Sequence, residues 1–334
     1  MTTTSSVRGF GQLLTYLPWA FEFVPDNSLI VTGLRDGAVA FNLRLDPPHP
    51  HHETEWAKDI GAPGAPHADV VVLTRWNAPD LSRRAMDLIA ASYRRAGVAL
   101  DHLLEVRDGQ WWARRCTCGT CPVTPRPLPQ AHQVAMVTEQ IARGVHLDGS
   151  RRAIYERLAP VAAEVVDPGD TTWPEEDWAL LLDLIDPHGP PISSLGAERV
   201  RRLAVLLGDG GRRDIILRLL VPAWGADPLD DEDDDDDGDD WEEADCPHGC
   251  EQGEHDHALR HRLAEWARRT QGPERAGAWA LLGTYAWLTQ GGAVASIAIE
   301  KALEADPDHS LALLVLTAIQ GGMRPSPRER RPSA

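Results

Sequence analysis

Three cysteines fall within six residues, Cys116-Thr117-Cys118-Gly119-Thr120-Cys121, just after the run Gln110 to Ala113, which reads as a strand. Zinc takes four soft or imidazole donors in a tetrahedron, and a turn at Gly119 would let all three sulfurs face one ion. The fourth donor is not found locally. A second group, Cys246-Pro247-His248-Gly249-Cys250, followed by His255, His257 and His261, holds donors of the right kind, able to complete that site or to form another. Zinc is therefore the candidate cofactor, in a structural rather than a catalytic role. The competing account is free thiols on a surface loop, because two paired Cys-x-x-Cys units are absent. Five cysteines, an odd number, argue against a disulfide framework, and the opening MTTTSSVRGFG lacks the apolar core of a secretory signal, so a cytoplasmic location is expected.

Other groups with chemical potential read as ordinary structure. His49, His51 and His52 lie in a proline-rich stretch that reads as a solvated loop, although such tracts also take up transition metals. Asp256 reads as a helix cap. Trp111 and Trp112, beside Arg107, Arg114 and Arg115, have the residue types of an aromatic and cationic ligand patch. Neighbours in a strand face opposite sides, so one ring should enter the core and the other face solvent or a covering loop. Gly9-Phe10-Gly11 and Gly208-Asp209-Gly210-Gly211 lack the Lys-Ser/Thr ending of a phosphate loop and read as helix breaks. No Gly-x-Ser-x-Gly elbow occurs. Asp26, Asp46, Asp69 and Asp108 lie near expected strand ends, which is also ordinary turn chemistry, so no catalytic residue is assigned.

The elements that must position these groups change character along the chain. Ser28 to Leu34 and Ala38 to Leu45 flank Arg35-Asp36-Gly37 and predict a hairpin. A Pro- and His-rich loop is expected from Pro47 to Pro66. Asp69 to Leu73 reads as a buried central strand, and Leu81 to Ala96 as an amphipathic helix with Met86, Ile89 and Tyr93 inward and Gly97 closing it. Leu103 to Val106 and Gln110 to Ala113 flank a second Asp-Gly turn. After Pro122 to Pro129 the pattern turns helical, at about 131 to 143, 151 to 165, 175 to 185, 196 to 207 and 211 to 220, then from near Asp256 to Thr270 and from Ser310 to Gln320. The fold class expected is α/β, a mixed sheet with flanking helices over 12–130, followed by an all-α half: a helical region at 131–225, an acidic disordered linker at 226–256, a tetratricopeptide-like region at 257–322 and a disordered tail at 323–334.

Charge narrows the partners. Residues 227 to 245 hold 14 acidic side chains and no Lys or Arg, so only −4 of the formal −18 belongs to the rest of the 334 residues. Arg outnumbers Lys 31 to 2, a compositional bias rather than a basic stripe, and nothing predicts a nucleic-acid partner. No stretch approaches the roughly 20 apolar residues of a membrane-spanning helix.

Residues 276 to 309 carry Trp279-x-x-Leu282-Gly283, then Ala295-x-x-x-Ile299, Ala302 and Pro307. The tetratricopeptide repeat has this spacing over about 34 residues, with large residues locking two antiparallel helices, small ones at their crossing and a closing proline. Ala286 stands where the repeat prefers Tyr, and Tyr285 lies one place early. One such unit cannot bury its apolar face alone, so it must pack on neighbouring helices. Such repeats bind proteins, which makes a protein the expected partner.

Read together, LLTYLPWAFEFVPDNSLIVTGL at 13–34, RDGQWWARRCTCGTCP at 107–122, LLGDGGRRDIIL at 206–217 and ALEADPDHSLALLV at 302–315 make the chain similar to the actinobacterial family known as domain of unknown function 4192. The resemblance supports the α/β-then-helical layout and implies no activity. It implies a Cys after the Trp-rich strand and another just before a Pro, matched by Cys116 and Cys121, with Cys118 outside that pattern. The expected function is a non-enzymatic protein-binding or scaffold module. Its rival is a ligand-sensing or enzymatic α/β domain with a site near Trp111 and Cys116, one that could hold zinc.

Overall fold

The computed structural model describes residues 9–142, 144–161, 175–208, 210–220, 252–289, 291–321 and 323. Cys246, His248, Cys250, the acidic run and nearly all of the tail lie outside the described residues. The chain forms two compact units, one running to Ala153 and including the end of the last helix, the other spanning Ile154–Thr317.

A mixed six-stranded sheet organises the first unit, in the order β2-β1-β3-β4-β5-β6. Strands β1 (Ser28–Arg35) and β2 (Ala38–Leu45) join through Asp36 and Gly37, whose φ angles of 51° and 79° supply the positive φ at both central positions that a type I′ hairpin demands. Strands β4 (Ala99–Arg107) and β5 (Gln110–Cys116) join in the same way through Asp108 and Gly109, at 49° and 71°. Between the hairpins, β3 (Val70–Trp76) runs antiparallel to β1 and parallel to β4. Val71, Val72 and Leu73 are fully buried, as a strand covered on both faces requires. Two-residue β6 (Arg126–Pro127) closes the order beyond β5.

Alternation sorts the strand residues between two layers. Leu29, Val31, Val71, Leu73 and Leu103 face a core shared with α2 (Glu53–Asp59) and α3 (Arg83–Arg95), where Met86, Ile89 and Tyr93 are buried as their spacing predicts. Ile30, Val72, His102, Leu104 and Val106 are buried on the opposite face. There α1 (Phe10–Phe21) lies over β4 and β5: the Phe10 ring sits 3.9 Å from that of His102, and Gly11 lies against Trp111 and Pro129. Pro18 inside α1 hides this helix from a reading by breakers. A short helix, α4 (Ala135–Ala142), packs beside it.

The stretch 47–66 is not a simple loop. It contains α2, with Ala57 fully buried and Trp56 packed on the core. Seven residues are too few to show a helical period, and tertiary anchoring makes this helix rather than propensity. Glu53, almost fully buried, accepts the Ser82 N–H with both carboxylate oxygens at 3.1 Å, while Ser82 Oγ accepts the Ala85 N–H at the start of α3. His49, His51 and His52 are exposed, as expected of solvated side chains.

Helices make up the second unit: the end of α5 (Arg151–Arg157), then α6 (Glu175–Ile185), α7 (Ala197–Leu206), α8 (Gly210–Leu220), α9 (Gln252–Arg269), α10 (Arg275–Leu288), α11 (Gly292–Ala305) and most of α12 (Ser310–Gln320). Helices α10 and α11 form a close hairpin. A Cβ on Gly283 would lie 2.6 Å from Ile299 Cδ1 and 3.3 Å from the Ala295 carbonyl, so these three residues mark the crossing. Leu282 and Ala302 are fully buried, and Trp279 nearly so; the Lys301 ammonium lies 5.5 Å from the Trp279 ring and 3.6 Å from that of Tyr155. Pro307 follows the end of α11. Tyr285, fully buried, donates its hydroxyl to Asp256 Oδ1 at 3.0 Å. Asp256 lies inside α9, which begins at Gln252, so it is a partner for Tyr285 rather than a cap.

Packing at the α10–α11 crossing leaves no room for a side chain on Gly283. Gly283→Val should destabilise the protein by about 1–3 kcal/mol through overpacking. Gly292→Ala, where nothing lies within 4 Å of the added methyl, should not lower stability. Denaturant midpoints of the two variants check this.

Candidate metal centre

The cysteine-rich turn follows from how β5 ends. Pairing counted from the Asp108-Gly109 turn runs Val106 to Trp111, Glu105 to Trp112 and Leu104 to Ala113, then slips by one residue, so that Leu103 meets Arg115 and His102 meets Cys116. Arg114 is the extra residue of this β-bulge. Beyond Cys116 the chain leaves the sheet and turns at Gly119, whose φ of +71° suits glycine.

Four donors converge there. His102 Nε2 lies 3.3 Å from Cys116 Sγ and 3.4 Å from Cys118 Sγ; Cys116 and Cys118 are 3.0 Å apart, and Cys118 and Cys121 3.6 Å. All four donor atoms lie within 4.8 Å of one another. Bonds of about 2.3 Å to sulfur and 2.0 Å to nitrogen give tetrahedral edges of roughly 3.5–3.8 Å. Of the four separations given above, only Cys116–Cys118 departs from such an edge by more than a few tenths of an ångström. The fourth donor is thus local, on the neighbouring strand, and Cys246, His248 and Cys250 are not needed to complete the set.

Electrostatics reflect the crowding of the sulfurs. Hydrogen bonds with Thr120 first, then with Cys116 and His102, hold the exposed Cys118 thiol down at about 5. Burial first, then the Cys116 and Cys118 sulfurs, pushes the Cys121 thiol far above the ordinary thiol range. Were all three sulfurs ionised they would repel one another at this distance, and a bound dication would relieve that repulsion.

The histidine is held from behind. Its ring is 1% exposed and covered by the Phe10 ring, tilted 39° to it; Nε2 faces the sulfurs while Nδ1, without a hydrogen bond, faces Asp101 Oδ2 at 3.5 Å. Thr117 Oγ1 donates to Asp101 Oδ1 at 2.6 Å, tying the carboxylate to the residue between two of the cysteines. A carboxylate that accepts the second ring N–H of a ligating imidazole fixes the tautomer and raises the basicity of the ligand, and Asp101 stands close enough to take that part with a small shift.

The family described as Domain of unknown function (DUF4192) matches residues 11–230 and 241–326. The chain belongs to this family. Both the sheet with its His102 and cysteine group and the α10–α11 hairpin lie within the match, which breaks only at 231–240 in the acidic run. No curated protein and no solved structure matches the chain.

In this DUF4192 chain the two tryptophans lie on opposite faces of β5, yet both are half-buried, so the expected division into one core ring and one outward ring does not hold. Trp111 packs against Gly11 and Pro129, whereas Trp112 pairs with Glu105 and lies 5.6 Å from the Arg114 guanidinium. Glu105 is shared between Arg114 and Arg75, whose Nη1 also donates to the Leu81 carbonyl, so both guanidiniums are engaged within the sheet. His102 is the residue that sequence reasoning missed. The available signal was the hairpin itself: counting back from Asp108-Gly109 without a bulge brings His102 opposite Arg115, one residue from Cys116.

Two variants test the assembled site. His102→Ala should abolish stoichiometric zinc binding, and Asp101→Asn should weaken it by about 10–100-fold while the circular dichroism of the folded chain is unchanged. Chelator competition and cobalt-substituted absorption spectra provide the readout.

Proposed function

We propose that this protein is a non-catalytic protein-binding module whose sheet carries a structural zinc ion on His102, Cys116, Cys118 and Cys121. The observation that carries the metal is the convergence of one imidazole and three sulfurs, all within 4.8 Å of one another. Thiolate-rich sets of this kind favour zinc over the hard cations. Four protein donors fill a tetrahedron and leave no position for an activated water, which argues for a structural role.

Protein binding is supported by the second unit. Gly283, Ala295 and Ile299 of the repeat spacing meet at the α10–α11 crossing, which supports a tetratricopeptide-like hairpin. On the final helix, Leu311, Ala312 and Val315 are buried, while Leu313 and Leu314 are 42% and 63% exposed. A terminal helix with apolar side chains on its outer side offers a contact surface of the kind repeat proteins use. Among the described residues no helix is long and apolar enough to cross a membrane. The cytoplasm is the compartment we propose, one that keeps such thiols reduced.

Affinity capture from a native lysate, comparing the wild-type chain with a Leu313→Asp, Leu314→Asp variant, tests the binding role. We expect a specific protein partner that the variant loses; recovery of the same proteins by both forms would remove the helical unit from the interaction. Elemental analysis of the tag-free protein should find about one zinc per chain, as a closed structural site requires.

A further inference from the structure

The segment that follows the metal cluster runs back along the outer edge of the sheet. Pro122 accepts the Ala113 N–H at 2.8 Å, Arg126 and Pro127 pair with Trp111 and Gln110, and the Leu128 N–H donates to Gly109 at 2.9 Å. Residues 122–129 thus form a strap over β5. Prolines at 122, 125, 127 and 129 remove N–H groups from it, so the strap covers an edge and offers a poor one in turn.

Little holds the strap except its ends. Residues 123–127 are all exposed, with Val123 at 80%, so the middle buries almost nothing. At the far end Pro129 is fixed: its carbonyl accepts from Thr15 Oγ1 at 3.1 Å, and its ring lies against Gly11. At the near end the chain enters the strap directly from Cys121, one of the four donors. A segment with so few buried contacts opens locally at low cost unless both ends are tied.

We infer that the metal is the near-end tie, and that its release frees the strap and exposes the β5 edge without unfolding the sheet. This rests on the zinc reading above. Zinc draws Cys121 to Cys116 and His102, which belong to β5 and β4, and so closes the turn that delivers Pro122 to Ala113. When the tie is lost, the Ala113 N–H loses its partner and β5 becomes an open edge carrying Trp111 and Trp112, a surface prone to pairing with a second strand.

Hydrogen exchange of the full chain decides this, with zinc content measured on the same samples before and after chelation, and with Cys121→Ser as a second route to the untied state. We expect exchange at the Ala113 and Leu128 amides to accelerate about tenfold or more on zinc loss, while those of Val72 and Leu73 stay protected. Bound zinc whose removal leaves Ala113 and Leu128 unchanged would overturn the strap alone. Loss of protection at Val72 and Leu73 as well would make the metal a support of the whole sheet and overturn the local release. No zinc in the native protein would overturn the metal reading and this inference together.

Discussion

The register of β4 against β5 is the constraint on which the candidate metal centre depends. One bulged residue, Arg114, shifts the pairing so that Cys116 lies opposite His102. Without that slip Arg115 would face His102, and the imidazole and the first sulfur would lie one residue out of step across the sheet. The same strands carry Trp111 beneath α1 and Ala113 beneath Pro122, so one hairpin fixes the helix on one face, the strap on the edge and the four donors at the end. Phe10 and Asp101 then act on a histidine that the backbone has already placed.

How much of this was legible in the sequence depends on whether local residues decide it. Asp36-Gly37 and Asp108-Gly109 announced their hairpins, because few dipeptides adopt positive φ twice in succession so readily. Val71 to Leu73 announced a covered strand. The helices of the second unit fall close to their expected places, helped by punctuation from Gly, Pro and Asp, except α5, which ends at Arg157 short of the expected 165 because Ala159-Pro160 follows it. Helix α2 was hidden, since its seven residues lie among prolines and histidines and depend on a long-range bond from Glu53 to Ser82. His102 was hidden because β4 begins earlier, at Ala99, than its apolar run, and because no local signal marks a bulge.

In the second unit, polar groups do part of what the repeat spacing does elsewhere. Tyr285 stands one place ahead of the position preferred by the repeat, and from there its hydroxyl reaches Asp256 on α9. Arg262, on the same helix, donates to the carbonyls of Asp183, Leu184 and Gly189 where α6 ends. A cation among those carbonyls satisfies groups that the helix leaves without partners and complements its dipole. Helix α9 is thereby joined to α10 and to the end of α6 by directional bonds as well as apolar contact.

The strand order also bears on how the protein is made. In the sequence β2-β1-β3-β4-β5-β6 every pair of neighbours is consecutive along the chain except β1 and β3, which are separated only by β2 and α2. The two hairpins close short loops, whereas the β1–β3 pair and the parallel β3–β4 pair must bridge the longer segments that contain α2 and α3, and local contacts speed folding. The last strand ends at Pro127, well before the helical unit begins. Synthesis from the N-terminus therefore delivers every strand of the sheet while the ribosome has still to translate more than half of the chain, and pairing can be complete before the repeat-like helices exist to compete for its apolar faces.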